Sequence, residues 1–219
     1  TDISSISGSI DPDEDLILGA SYSGANQNFG GCLCNVGIYK GTVLTQAQVR
    51  SIMRATSYTA TAAVVTPSLY YLLDDDYNDS TGNQNGTNNG SQLVGDRARL
   101  PSGLSLLDNQ SNAQTFTGRG VLLDGSADKG VAVDGGVDLS SGGTVSVWVK
   151  PSSISANSHY IMETNTTGSN RFALGRNAGK FFLSYYNGSS YAGHFTTAMI
   201  QSDTWYHIIA TTNGSDTYQ

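Results

Sequence analysis

The stretch TVSVWVK, residues 144–150, alternates without interruption. Val145, Val147 and Val149 fall on one side of an extended chain, and Thr144, Ser146, Trp148 and Lys150 on the other. Successive side chains of a strand point to opposite faces, so this spacing predicts a strand with one face in a core. FFLSYY (181–186) and WYHIIATT (205–212) alternate in a similar way. Between such runs lie NGSS, NTTGSN, RNAGK, DGSADKG and SSGG. Their Gly, Asn, Asp and Ser provide the backbone conformations and local hydrogen bonds of turns. Many short strands separated in this way predict an all-β fold, a two-sheet antiparallel sandwich of the jelly-roll kind.

Helical signals concentrate in VLTQAQVRSIMRA. Thr45 suits an N-cap, Gln48 stands three residues on as in a capping box, and Leu44 with Val49 form a hydrophobic staple. Arg50 and Arg54 near the far end favour the helix dipole. One short helix is therefore predicted near 46–54. The stretch SYTATAAVVTPS (57–68) has no turn chemistry and no clear period, and segment 56–68 reads as a linker. Asn213-Gly214, after the 205–212 run, is a two-residue hairpin signal, so a returning strand is expected from Thr217.

Composition narrows the function. Only 13% of residues are charged and the formal net charge is −7. A polyanion would be repelled, and no Lys/Arg stripe is interleaved with aromatic residues, so nucleic-acid binding is not expected. No apolar run approaches the ~18 residues of a membrane span, and no basic region precedes an apolar stretch near residue 1. The two cysteines, Cys32 and Cys34, share one strand face, where bridging would be strained. They read as small buried residues rather than a disulfide staple or a zinc site.

GVLLDGSADKGVAVDGGVDLSSGGTVSVWVKPSSIS followed by DTWYHIIATTNGSD resembles the laminin-G-like, concanavalin A-like lectin/glucanase jelly roll. That family commonly carries a DGSDDYV segment, a strand ending WVKP and a late WYH strand. LYYLLDDDYNDSTGNQNGT resembles its opening strand and Asp/Asn/Gly-rich loop. LILGASYSGANQNFGGCLCNVGIYKGTVLTQAQVRSIM resembles the way such domains close. The order is rotated: the closing segment, 1–55, precedes the opening segment, from about 69. Residues 1–55 and 69–219 then form one domain if the jelly roll is circularly permuted. They form the end of one repeat and the start of the next if the array is tandem. A neighbouring copy could complete open edges by strand addition.

The resemblance implies three chemistries to test. Retaining glycosidases of this fold use two carboxylates ~5 Å apart. The chain has two glutamates, Glu14 and Glu163, neither in the alternating acidic pattern of the glucanase branch, and no nucleophile elbow, Walker A or HExxH motif occurs. A glycoside hydrolase is thus disfavoured, and the chain is read as non-enzymatic. Family members often bind Ca²⁺ through loop oxygens, and Asp74, Asp76, Asp79, Asn83 and Asn85, with Asp124 and Asp128 of DGSADKG, are the candidate ligands here. The same residue types also build ordinary turns. Glycan binding would place Trp148 on the strand face opposite the valines, joined by Tyr186, Tyr191 and His194. The expected function is a non-catalytic laminin-G-like surface module of an extracellular, cell-surface or virion protein (a fibre, decoration or adhesin). It would associate with copies or neighbouring repeats of itself. The alternative is a Ca²⁺-dependent lectin domain that binds a cell-surface glycan.

Overall fold

The computed structural model describes residues 15–20, 27–55, 57–94, 120–125, 130–133, 137, 139, 142–155, 157–164, 171–186 and 191–212. The strands are β1 (Leu16–Leu18), β2 (Gly30–Lys40), β3 (Leu69–Tyr71), β4 (Gly86–Asn89), β5 (Gln92–Val94), β6 (Gly120–Asp124) and β7 (Gly130–Val133). They continue with β8 (Gly143–Pro151), β9 (His159–Thr164), β10 (Arg171–Asn177), β11 (Lys180–Tyr186), β12 (Tyr191–Phe195) and β13 (Tyr206–Thr212). A seven-stranded sheet runs β12-β11-β10-β9-β1-β7-β4; a second runs β13-β8-β2-β6-β5, with β3 also paired to β2. All ladders between named strands are antiparallel. The sheets face each other across one core, and the fold is the expected two-sheet antiparallel sandwich.

The alternation in β8 is realised as expected. Val145, Val147 and Val149 enter the interior, in one core with Met162, Phe172 and Leu174 of the other sheet. Strand β2 shows why one alternating pattern was hard to see. Its inward residues are Leu33, Val36 and Ile38, a spacing that breaks period two. The ladder with β8 shifts register between Cys34 and Gly37, and Asn35 sits at φ 49° in the left-handed region. The result is a β-bulge: Asn35 and Val36 together oppose Val147, which flips the inward parity of β2. Asn35 N–H donates instead to Leu72 O (3.1 Å), at the join between β3 and the loop that follows.

Helix α1 (Gln46–Met53) starts at Thr45 with the full capping box. Its Ile52 and the preceding Leu44 pack with Tyr39, on the outer face of the six-stranded sheet. The segment read as a linker contains a second helix, α2 (Tyr58–Ala62). Ser57 caps it by accepting from Ala60 N–H (3.2 Å), Tyr58 packs on Tyr70 at 5.5 Å, and Thr61 is buried. Its helical character comes from this cap and these contacts, not from an apolar period. Among the described residues no helix is long and apolar enough to cross a membrane. The hairpin expected at Asn213-Gly214 lies outside the described residues.

Strands from both sequence segments share both sheets. β1 lies between β7 and β9, and β2 between β8 and β6.

Candidate functional site: the open edge of the sandwich

Among the described residues β12 and β13 are the terminal strands of the two sheets on the same side of the sandwich, and a groove opens between them. Two adjoining hollows of about 280 and 290 Å³ share Phe181, Thr196, Ile208 and Ile209. The floor is apolar because Leu174, Phe181, Leu183 and Ala210, all buried members of the core, line it. Beside it lie Phe195, 56% exposed and tilted against Phe182 (ring centroids 5.9 Å apart), and Met199, 63% exposed. His194 lies opposite Leu183 in the β11–β12 ladder, and its buried Nε2 has no hydrogen-bond partner. Strand β13, YHIIATT, carries no charged residue and no proline. Natural edge strands are normally blunted by such residues.

The glycan candidates do not assemble into one place. Trp148 and its neighbours lie on the outer face of the six-stranded sheet, whereas Tyr186 and Tyr191 are directly paired across β11–β12 of the other sheet. His194 lies in the interior groove. Trp148 does point away from the valines, but it is only 8% exposed. Its ring stacks on His207 (centroids 4.9 Å apart, 23° between planes) and clusters with Cys34 and Trp205. His207 Nε2 shares a 2.8 Å hydrogen bond with Ser146 Oγ. Burial pushes the His207 pKa down to about 4, which leaves the ring neutral. Cys32 and Cys34 are both free thiols. Burial raises the pKa of each, so neither is a reactive thiolate.

The acidic loop between β3 and β4 is organised around a single carboxylate. Asp79 accepts from the backbone N–H groups of Tyr70 (2.8 Å), Thr81 (3.0 Å), Asn83 (3.0 Å) and Gln84 (3.1 Å), and from the Thr81 hydroxyl. Burial by itself would raise its pKa. The Thr81 hydroxyl and the amides of Tyr70, Thr81 and Gln84 outweigh burial and hold the carboxyl below its ordinary 3.8. Both oxygens of Asp79 thus face hydrogen donors. Asn83 turns its amide onto Ser68 O (3.0 Å), and Asp76 binds Asn78. Asp74 accepts from Asp75 N–H at 2.9 Å. Asp124 stands elsewhere. Gly86 pairs with Val133 and Asn89 with Gly130, so the 74–85 loop enters β4 at the end where β7 finishes, whereas Asp124 precedes the start of β7, at the other end. Asp128 lies outside the described residues. Among the described residues no three of His, Cys, Asp and Glu converge as a metal cluster. Glu163 is fully buried on β9, and Glu14 lies outside the described residues.

The two sheets, their antiparallel order and the interior filled from both define a concanavalin A-like sandwich whose β12–β13 edge is open among the described residues. Residues 124–219 match the family model of the concanavalin A-like lectin/glucanases superfamily, a laminin-G-like family. The resemblance read from WVKP and WYH therefore holds over that segment. No curated protein and no solved structure matches the chain significantly.

Two groups of residues were missed in the sequence. Phe195 and Met199 belong to short runs with no strong period, and their prominence depends on the chain ordering of β12 and β13. Arg176, His159, Ser153 and Ser155 meet at one rim of the sandwich from three separate elements. No local motif announces that meeting.

Proposed function

We propose that this sandwich is a non-catalytic, laminin-G-like module on an extracellular or virion surface that associates with a second copy of itself through the β12–β13 edge. The observation that carries this reading is an edge holding both knobs and hole. Phe195 and Met199 project beside a groove lined by Phe181, Leu183 and Ile208. An isologous contact needs such a self-complementary patch, because each copy must offer what the other accepts. An extended segment of the partner can also add to the ladder of β13, as in strand-addition recognition. The uncharged β13 leaves that addition unopposed.

The test is light scattering coupled to size-exclusion chromatography, from about 1 to 100 µM, the range in which a micromolar Kd is visible. The native chain is expected to run as a dimer or larger assembly at the upper end. Phe195→Asp with Ile209→Lys is expected to run as a monomer with an unchanged circular dichroism spectrum. A native chain that stays monomeric throughout overturns the reading. The Ca²⁺-dependent alternative draws less support, since the central carboxylate of the acidic loop is already saturated by amide donors.

A further inference from the structure

A second feature, independent of the open edge, lies at the rim where the β8–β9 loop crosses β10. Arg176 is 0% exposed. Its Nη2 donates to Ser153 Oγ (2.9 Å) and its Nη1 to Ser155 O (3.3 Å). Its Nε is buried with no acceptor. No carboxylate among the described residues forms an ion pair with it, and burial, uncompensated by any acid, lowers its pKa. Glu163, on the neighbouring strand, is three positions along the ladder, opposite Ala173, whereas Arg176 is opposite His159. A guanidinium taken out of water ordinarily comes with an anion.

The surroundings are hydroxyls and a neutral imidazole rather than acids. Asn28 O accepts from His159 Nδ1 (2.6 Å), which leaves Nε2 of the neutral ring to accept from the Ser155 hydroxyl 3.1 Å away. Burial keeps that ring neutral by lowering its pKa. Ser155 has therefore spent its proton, while the Ser153 hydroxyl, whose oxygen already accepts from Arg176, still has a proton to donate. The loop above them is held by hydroxyls and not by apolar packing, for Ile154 is 41% exposed.

We infer that the buried Arg176 guanidinium and the Ser153 hydroxyl that covers it form a binding site for a small oxyanion, which enters by parting the exposed Ser153–Ser155 segment. The planar fork of a guanidinium fits a carboxylate, sulfate or phosphate edge-on, and the serine hydroxyl supplies a further donor.

Thermal unfolding of the whole chain tests this in sodium sulfate, phosphate or acetate against sodium chloride at matched ionic strength. Sulfate stabilises proteins generally, so the readout is the difference between the native chain and Arg176→Gln. At about ten times its Kd the bound anion is expected to raise the native midpoint by about 3–5 °C over chloride, and Arg176→Gln is expected to lose that increment. An equal anion response in both chains overturns the site and leaves Arg176 as an anchor for the loop. Should Arg176→Gln fail to fold, Ser153→Ala decides: a reduced anion increment supports the site, and an undiminished one overturns it.

Discussion

The β3–β4 loop and the β12–β13 edge solve opposite problems with opposite chemistry. The loop is polar, contiguous in sequence and closed on itself, since Asp79 gathers donors from residues 70–84. The edge is apolar, built from segments far apart in the chain, and closed on nothing within the described residues. A buried charge with donors from its own loop needs no partner. An apolar groove between two terminal strands does, and that contrast assigns structure to the first region and association to the second.

The sharpest way to break the comparison is Asp79→Ala. It strands buried amides of residues 70–84, so a loss of about 3 kcal/mol is expected in urea unfolding at pH 7. A loss below about 1 kcal/mol would mean that the loop is held by other contacts. The next effect is on β13. The folded pKa of His207 is about 4 against an ordinary 6.5. The unfolded chain thus takes up the proton first, and the stability present above pH 6.5 falls as pH drops toward 4. About 2–3 kcal/mol is expected to be lost over that window, and His207→Phe should flatten it.

Acid separates the two regions further. The folded pKa of Asp79 is depressed, so its contribution is fully present above the ordinary 3.8 and disappears as pH falls below that value. Unfolding curves should therefore show one loss between pH 6.5 and 4 and another beneath it, with Asp79→Asn abolishing the second alone. Thr81→Ala, which removes the hydroxyl bonded to Asp79, is expected to cost about 1 kcal/mol. Smallest in stability is Phe195→Asp, within about 0.5 kcal/mol for an exposed position, although the same change should dissociate the assembly. A large stability loss there would place Phe195 in the core of one copy rather than between copies.

These regions also differ in how far the sequence disclosed them. β8, β11, β13 and α1 were legible because each carries its own period or cap within a dozen residues. β2 was less so, since the bulge at Asn35 shifts its inward positions from Leu33 to Val36. Helix α2 was hidden, as Ser57 and Thr61 derive their roles from Ala60 and from burial and not from spacing. For the candidate site, the acidic loop was visible as material, but nothing in DDDYNDSTGNQNG reveals that Asp79 turns both oxygens inward to amides. The groove and the Arg176 rim depend on which strands end up side by side, and that is set by pairings across the whole chain.

The placement of β2 at the centre of its sheet also has a consequence for synthesis. It meets β8 along most of its length, from Lys40 opposite Gly143 to Gly31 opposite Pro151. At about 5–20 residues per second, a ribosome needs about 5–20 seconds after finishing β2 to deliver that partner, roughly a hundred residues later. Throughout that interval Leu33, Val36 and Ile38 wait as an apolar strand with its principal ladder unmade. Folding dominated by such distant pairings is slow. A chaperone that binds short apolar extended segments would find its first client in this chain at residues 30–40.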